Sequence, residues 1–130
     1  VRGTKRQLTN GQIEQLVKGL IDSHKKLGWD KLSLAVWFGA KEDTSQVHLL
    51  EVFERLPESV SGELETLTYA PSADFPATLH VVAAAPADIE NALKRRDPRL
   101  RTIVSTDPRV LVCDKRGKAL WERVQRAFAL

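Results

Sequence analysis

The chain reads as one α/β domain of the α+β kind, a mixed sheet of about 4–5 strands flanked by helices. Three observations predict this. Ile13, Leu16, Val17, Leu20, Ile21 and Leu27 recur at intervals of three and four, which places them on one helical face. Residues 31–38, 47–53 and 78–85 are strand-length runs rich in Leu, Val, Ala, Trp and Phe, apolar enough to be covered on both faces. Leu120, Trp121, Val124, Ala127 and Phe128 restore helical spacing at the end. At 130 residues the chain can build one substantial core but not two.

Residues 1–8 form a polar, basic lead expected to fray. Thr9-Asn10-Gly11-Gln12 then fits a capping box, with Thr9 as cap and Gln12 reaching back, and Gly28 suits the helix stop. His24 falls on the apolar face and is expected to be a buried, hydrogen-bonded histidine rather than a ligand. In the first strand Leu32, Leu34 and Val36 alternate with Ser33, Ala35 and Trp37. In the second, Val47, Leu49 and Glu51 point one way, and Gln46, His48, Leu50 and Val52 the other. Residues 63–69 carry two signals. Thr66, Thr68 and Tyr69 favour strand, Leu64 and Leu67 sit at helix spacing, and a strand is the expectation.

After the strand at 78–85, Pro86 opens a helix whose first turn holds Asp88 and Glu90. Asp97-Pro98 breaks it, a short helical turn carries Leu100, Ile103 and Val104, and Val110 to Cys113 reads as a short strand. Asp114 to Gly117 is expected to be a turn. It leads into a closing helix or, alternatively, a hairpin in which residues 118–121 pair back across Gly117.

Hydrophobic residues at 42% and charged residues at 28% are ordinary for a soluble globular protein. No apolar run approaches the roughly 20 residues of a membrane span, and no signal peptide is visible. A lone Cys113, expected to be a buried structural thiol, excludes a disulfide framework and fits a reducing cytoplasm. The net charge of +3 is uneven: residues 94–126 hold 11 Lys or Arg against 4 Asp or Glu, and residues 41–74 hold 2 against 8. The basic part includes Arg95, Arg96, Arg99 and Arg101, which are either solvated helix faces or an attraction for phosphate.

Phe38-Gly39-Ala40, a short loop, and Ser45-Gln46-Val47-His48-Leu49-Leu50 resemble the signature of polymerase-β-like nucleotidyltransferase domains, most closely the minimal type. That family's pattern is Phe-Gly-Ser, a loop, and an Asp-x-Asp that leads a Leu- and Val-rich strand. The resemblance implies that Gln46 and His48 stand where two metal-binding aspartates belong. His80, counted back from Pro86, stands where the third belongs, and Ala40 replaces the serine. It also implies a small helical partner protein, as in the antitoxin-like pairs in which minimal nucleotidyltransferases often work.

Nucleotidyl transfer needs two divalent cations beside the transferred phosphorus, and magnesium wants carboxylate oxygens. A Gln-His-His set does not supply them, so no catalytic residue is expected. No cofactor is expected either, magnesium included. Three readings of Gln46, His48 and His80 remain. They line a polar crevice as relics; or His48 and His80 bind a softer ion such as zinc; or the crevice binds a nucleotide or phosphate without metal through Gly39, Ala40 and Lys41. The leading function is therefore a degenerate nucleotidyltransferase-like domain acting as a binding or regulatory module, with a protein partner or a second copy of itself. The alternatives are a nucleotide-binding nucleotidyltransferase with unusual metal ligation, and a nucleic-acid binder using the four arginines. No helix-turn-helix or RNA-binding signature accompanies those arginines.

Overall fold

The computed structural model describes residues 9–26, 30–39, 45–56, 64–73 and 77–128. The expected lead at 1–8, the helix stop at Gly28, Trp29, and the loop residues Ala40 and Lys41 lie outside them. The elements run α1 (Asn10–Lys26), β1 (Asp30–Phe38), β2 (Gln46–Arg55), β3 (Glu65–Tyr69), β4 (Thr78–Ala84), α2 (Pro86–Lys94), α3 (Pro98–Ser105), β5 (Arg109–Cys113) and α4 (Lys115–Ala127). The strand order is β3-β4-β2-β1-β5. β2 and β4 pair in parallel; β1 with β2, β1 with β5 and β3 with β4 pair antiparallel. The sheet is therefore mixed, as the sequence predicts, and residues 65–69 take the strand option.

α1 opens on the expected capping box. The Thr9 amide donates to Gln12 Oε1 at 2.9 Å, and the Gln12 amide to Thr9 Oγ1 at 3.2 Å, which satisfies two helix-start groups reciprocally. Its stripe of Ile13, Val17 and Ile21 packs on one sheet face with Ala35, Trp37, Val47, Leu49, Phe53, Leu79 and Val81. The other face, with Leu34, Val36, Leu50, Val52, Val82 and Ala84, is covered by α2, α3 and α4 through Ile89, Ala92, Leu100, Ile103, Leu120, Trp121 and Val124. Within the basic segment 94–126, α3 and α4 thus lie in one layer, while β5 joins the sheet.

Three expectations need correction. Leu32 does not share a face with Leu34 and Val36; it packs with Ala35 and Trp37 against α1. The cause is an irregularity between Leu32 and Leu34, where β1 carries one residue more than β2, and such a bulge inverts the alternation beyond it. Asp114 to Gly117 is neither a turn nor a hairpin corner. Asp114 caps α4, its Oδ1 accepting from the Gly117 amide at 2.8 Å, and Gly117 is already helical. The glycine is there for space, because a Cβ on it would lie 1.8 Å from the Ser33 carbonyl oxygen. That oxygen, at the bulge, accepts from the Asp114 amide at 3.0 Å. Finally, Cys113 is exposed rather than buried, because β5 is an edge strand.

His24 meets the expectation of a buried, partnered histidine. Its Nδ1 lies 3.2 Å from Glu51 Oε1 and 3.4 Å from Oε2, with His24 3% and Glu51 0% exposed. The pair sits between α1 and β2 and is shut off from solvent, so its role is in the fold.

Candidate functional site

One transverse rung of the sheet gathers the residues singled out in the sequence. In register, Phe38 on β1 lies beside His48 on β2, His48 beside His80 on β4, and His80 beside Thr68 on β3. Side chains at matched positions of neighbouring strands stand on one face. This rung lies on the side covered by α2–α4. The His48 and His80 rings stack with centroids 4.6 Å apart and planes 14° from parallel, and the Phe38 ring lies 5.7 Å from His48. Gln46 joins them: His80 Nε2 donates to its Oε1 at 2.7 Å. With that proton on Nε2, His80 Nδ1 accepts from the Thr68 hydroxyl at 3.3 Å. Gln46, His48 and His80 are therefore brought together, and two of them are bonded to each other.

His48 differs from His80. Among the described residues neither of its ring nitrogens has a hydrogen-bond partner. Burial, and then the neighbouring His80, hold its imidazole below the ordinary 6.5. The folded state then binds fewer protons than the unfolded chain, so acidification below about pH 6.5 works against the fold at this position.

The rung floors a cleft of about 290 Å³ between the sheet and α3, lined by Phe38, His48, Thr66, His80, Val82, Arg99, Thr102 and Ile103. Among the described residues no carboxylate lines it. Two stacked imidazoles do not suit a shared zinc as they stand: the ion sits about 2.0–2.1 Å from each nitrogen in each ring plane, and near-parallel planes do not meet there. Both His80 nitrogens are also engaged.

Gly39 adopts a left-handed φ of 87°, and a Cβ on it would lie 3.1 Å from His48 Cδ2. The glycine lets the chain turn tightly over the imidazole. Its amide, which a phosphate loop would offer to a ligand, donates to Thr106 Oγ1 at 3.0 Å. Thr66, Thr102, Ile103 and Thr106 were not legible as site residues. Their only signal is membership of a short strand and a short helix, and neither shows what it faces.

The four arginines divide. Asp97, 5% exposed, caps α3 by accepting from the Arg99 amide at 2.9 Å. It also takes the Arg99 guanidinium at 2.7 and 3.1 Å and Arg95 Nη2 at 3.1 Å. Arg99 Nη1 donates onward to the Leu64 carbonyl at 3.0 Å. Arg95 and Arg99 thus brace the α2–α3 corner through Asp97; Arg96 and Arg101 are exposed. The Arg99 hydrogen bonds, supplemented by Arg95, hold the Asp97 carboxyl well below the usual carboxylate range against the opposing effect of burial. A depressed folded-state pKa gives stability that is present above the unfolded value of about 3.9 and is lost as pH falls below it. Both arginines are more than a third exposed, so solvent screening tempers the pair. Asp97→Ala is expected to cost about 2 kcal/mol at pH 7. In urea titrations, the gap between the native protein and Asp97→Asn should be constant above about pH 5 and narrow below pH 4.

No helix among the described residues is long and apolar enough to cross a membrane. No family model matches the sequence, and no curated protein matches it with significance.

Proposed function

We propose that this chain is a catalytically silent, nucleotidyltransferase-like domain that works as a binding or regulatory module, through a protein partner or a second copy of itself. One observation carries the reading. Of the three positions that the resemblance equates with metal-binding aspartates, His48 and His80 share a rung and Gln46 lies two residues along β2 on the same face; their neutral or nitrogen-bearing side chains are committed to one another by a 2.7 Å hydrogen bond and a ring stack. Hard divalent cations need anionic oxygen ligands, and this set offers one amide oxygen, already taken. The Gly39 amide, bonded to Thr106, adds support, because a transferase loop needs that donor for phosphate.

The test is incubation with labelled nucleoside triphosphates and magnesium or manganese, over the protein itself, nucleic acid and candidate protein acceptors. The expected result is no metal-dependent label transfer above the heat-denatured protein. Transfer that needs metal and survives Gln46→Ala with His48→Ala would mean that carboxylates elsewhere hold the ions.

A further inference from the structure

We propose that the outer edge of β3 pairs antiparallel with β3 of a second copy of this chain, joining the two sheets across a two-fold axis at Leu67. The inference rests on the reading above that the chain works through a protein partner or a second copy, and it commits to the copy and to the surface.

An edge strand presents a row of unpaired backbone groups, and folded domains blunt such edges with charge, proline or a bulge. The two edges of this sheet differ in that respect. β5 is bulged: Val110 and Val112 pair with the adjacent residues Val36 and Ala35, and Leu111 is left over between them. It also opens on a charge, Arg109, ion-paired to Glu14 at 2.7 Å. β3 is plain. Its pairing with β4 is unbroken from Glu65 to Tyr69, and the run Thr66-Leu67-Thr68-Tyr69 holds no charge, glycine or proline. Thr66, Thr68 and Tyr69 are exposed, and no described strand lies beyond them.

The side chains select the occupant. Antiparallel self-pairing about Leu67 sets that residue against its own counterpart and Thr66 against Thr68 of the copy. Apolar pairs and Thr–Thr pairs across strands are favourable, whereas like charges directly opposite are not. The strand's single charged residue, Glu65, falls opposite Tyr69 of the copy and not opposite itself. Leu67 and Tyr69 stand on the α1 side, because their β4 partners Val81 and Leu79 pack there. Tyr69, 39% exposed, gains Leu67 of the copy as its diagonal neighbour. Pairing of this kind uses the plain edge of each copy and closes at two. The axis is perpendicular to the sheet, so the two clefts, each with Thr66 in its lining, lie side by side on one face.

The test begins with sedimentation velocity of the full chain. A five-residue edge makes a small interface, so a reversible dimer with a Kd of about 10–500 µM is expected. In the native protein, amide exchange at residues 65–69 should slow as concentration rises, while exchange in β5 stays the same. Leu67→Lys and Leu67→Glu each set like charges on the axis and should weaken dimerisation at least about tenfold. An equal mixture of the two should dimerise again, and Val110→Lys on β5 should leave the dimer unchanged. A native chain that stays monomeric up to about 1 mM would overturn the proposal whatever the variants do. So would assembly beyond a dimer, as pairing of β3 with β5 gives, or exchange at 65–69 that ignores concentration. Loss of the dimer in Val110→Lys but not in the Leu67 variants would overturn it too. A monomer that transfers no nucleotide leaves the functional reading above standing with a different partner. Dimerisation alongside metal-dependent transfer removes that reading and supports this one, so the two fail separately.

Discussion

His24→Leu should destabilise the domain by about 4 kcal/mol at pH 7, and adding Glu51→Leu should recover most of the loss. The reasoning is an asymmetry between two buried groups. Removing the imidazole strands a carboxylate with no exposure at all. Breaking a buried pair by removing one partner leaves the other without compensation for its lost hydration, which costs about 3–5 kcal/mol. Glu51→Leu alone leaves a buried imidazole nitrogen without this partner, and its expected loss is about 1–2 kcal/mol. Replacing both partners with leucine exchanges a desolvated pair for packing beside Phe53, whose ring lies 6.3 Å from that of His24. Such exchanges are often neutral or stabilising. Urea unfolding of the two single variants and the double variant measures the coupling directly. In thermal melts, His24→Leu should lower the midpoint by roughly 10–15 °C. Equal losses in the two single variants, or a double variant no better than His24→Leu, would mean that the pair is not what the site depends on.

Gly117→Ala should cost about 3 kcal/mol, even though alanine is the better helix former. Helix propensity alone favours the substitution by about 1 kcal/mol. Against that stands a Cβ placed 1.8 Å from the Ser33 oxygen and 2.6 Å from its carbonyl carbon, well inside contact. Both are backbone atoms at the β1 bulge, so no side chain can swing aside. Either α4 lifts off β1 or the bulge and its hydrogen bond to the Asp114 amide are lost. Gly19, in the middle of α1 with nothing within 4 Å of its Cβ position, is the matched control. Gly19→Ala should stabilise by about 0.5–1 kcal/mol. Chemical denaturation of both variants should therefore give shifts of opposite sign.

The same contact shows where the sequence was legible and where it was not. The periodicity of α1, the alternation of Gln46, His48, Leu50 and Val52, and the strand at 78–84 report their faces directly. Each obeys a single local rule: Thr9 and Gln12 cap, and apolar residues return every three or four positions or every second one. The bulge at Ser33 breaks the rule for β1, and nothing in Leu32-Ser33-Leu34 announces it. Its explanation lies some 80 residues on, in a glycine whose missing side chain makes room for the Ser33 carbonyl. For the same reason, Gly117 beside Asp114 read as turn chemistry. Cys113 follows an apolar run typical of a buried strand, and edge position is a property of the sheet that the run does not carry. In the candidate site, Gln46, His48 and His80 were legible as a set because strand periodicity and the distance back from Pro86 placed them. The roof of the cleft, Arg99, Thr102 and Ile103, was not. The arginines there read as a patch for an outside anion, whereas two of them turn inward on Asp97.

The central proposal is that Gln46 and the His48–His80 rung form a hydrogen-bonded, stacked cluster that does not hold a hard divalent ion. Paramagnetic relaxation tests it most directly: manganese is titrated to millimolar concentration while the imidazole resonances of His48 and His80 are followed. The account predicts that neither ring broadens beyond a dispersed surface effect, and that His80 keeps its proton on Nε2 throughout. Saturable broadening centred on these rings, reversed by excess magnesium, would contradict it.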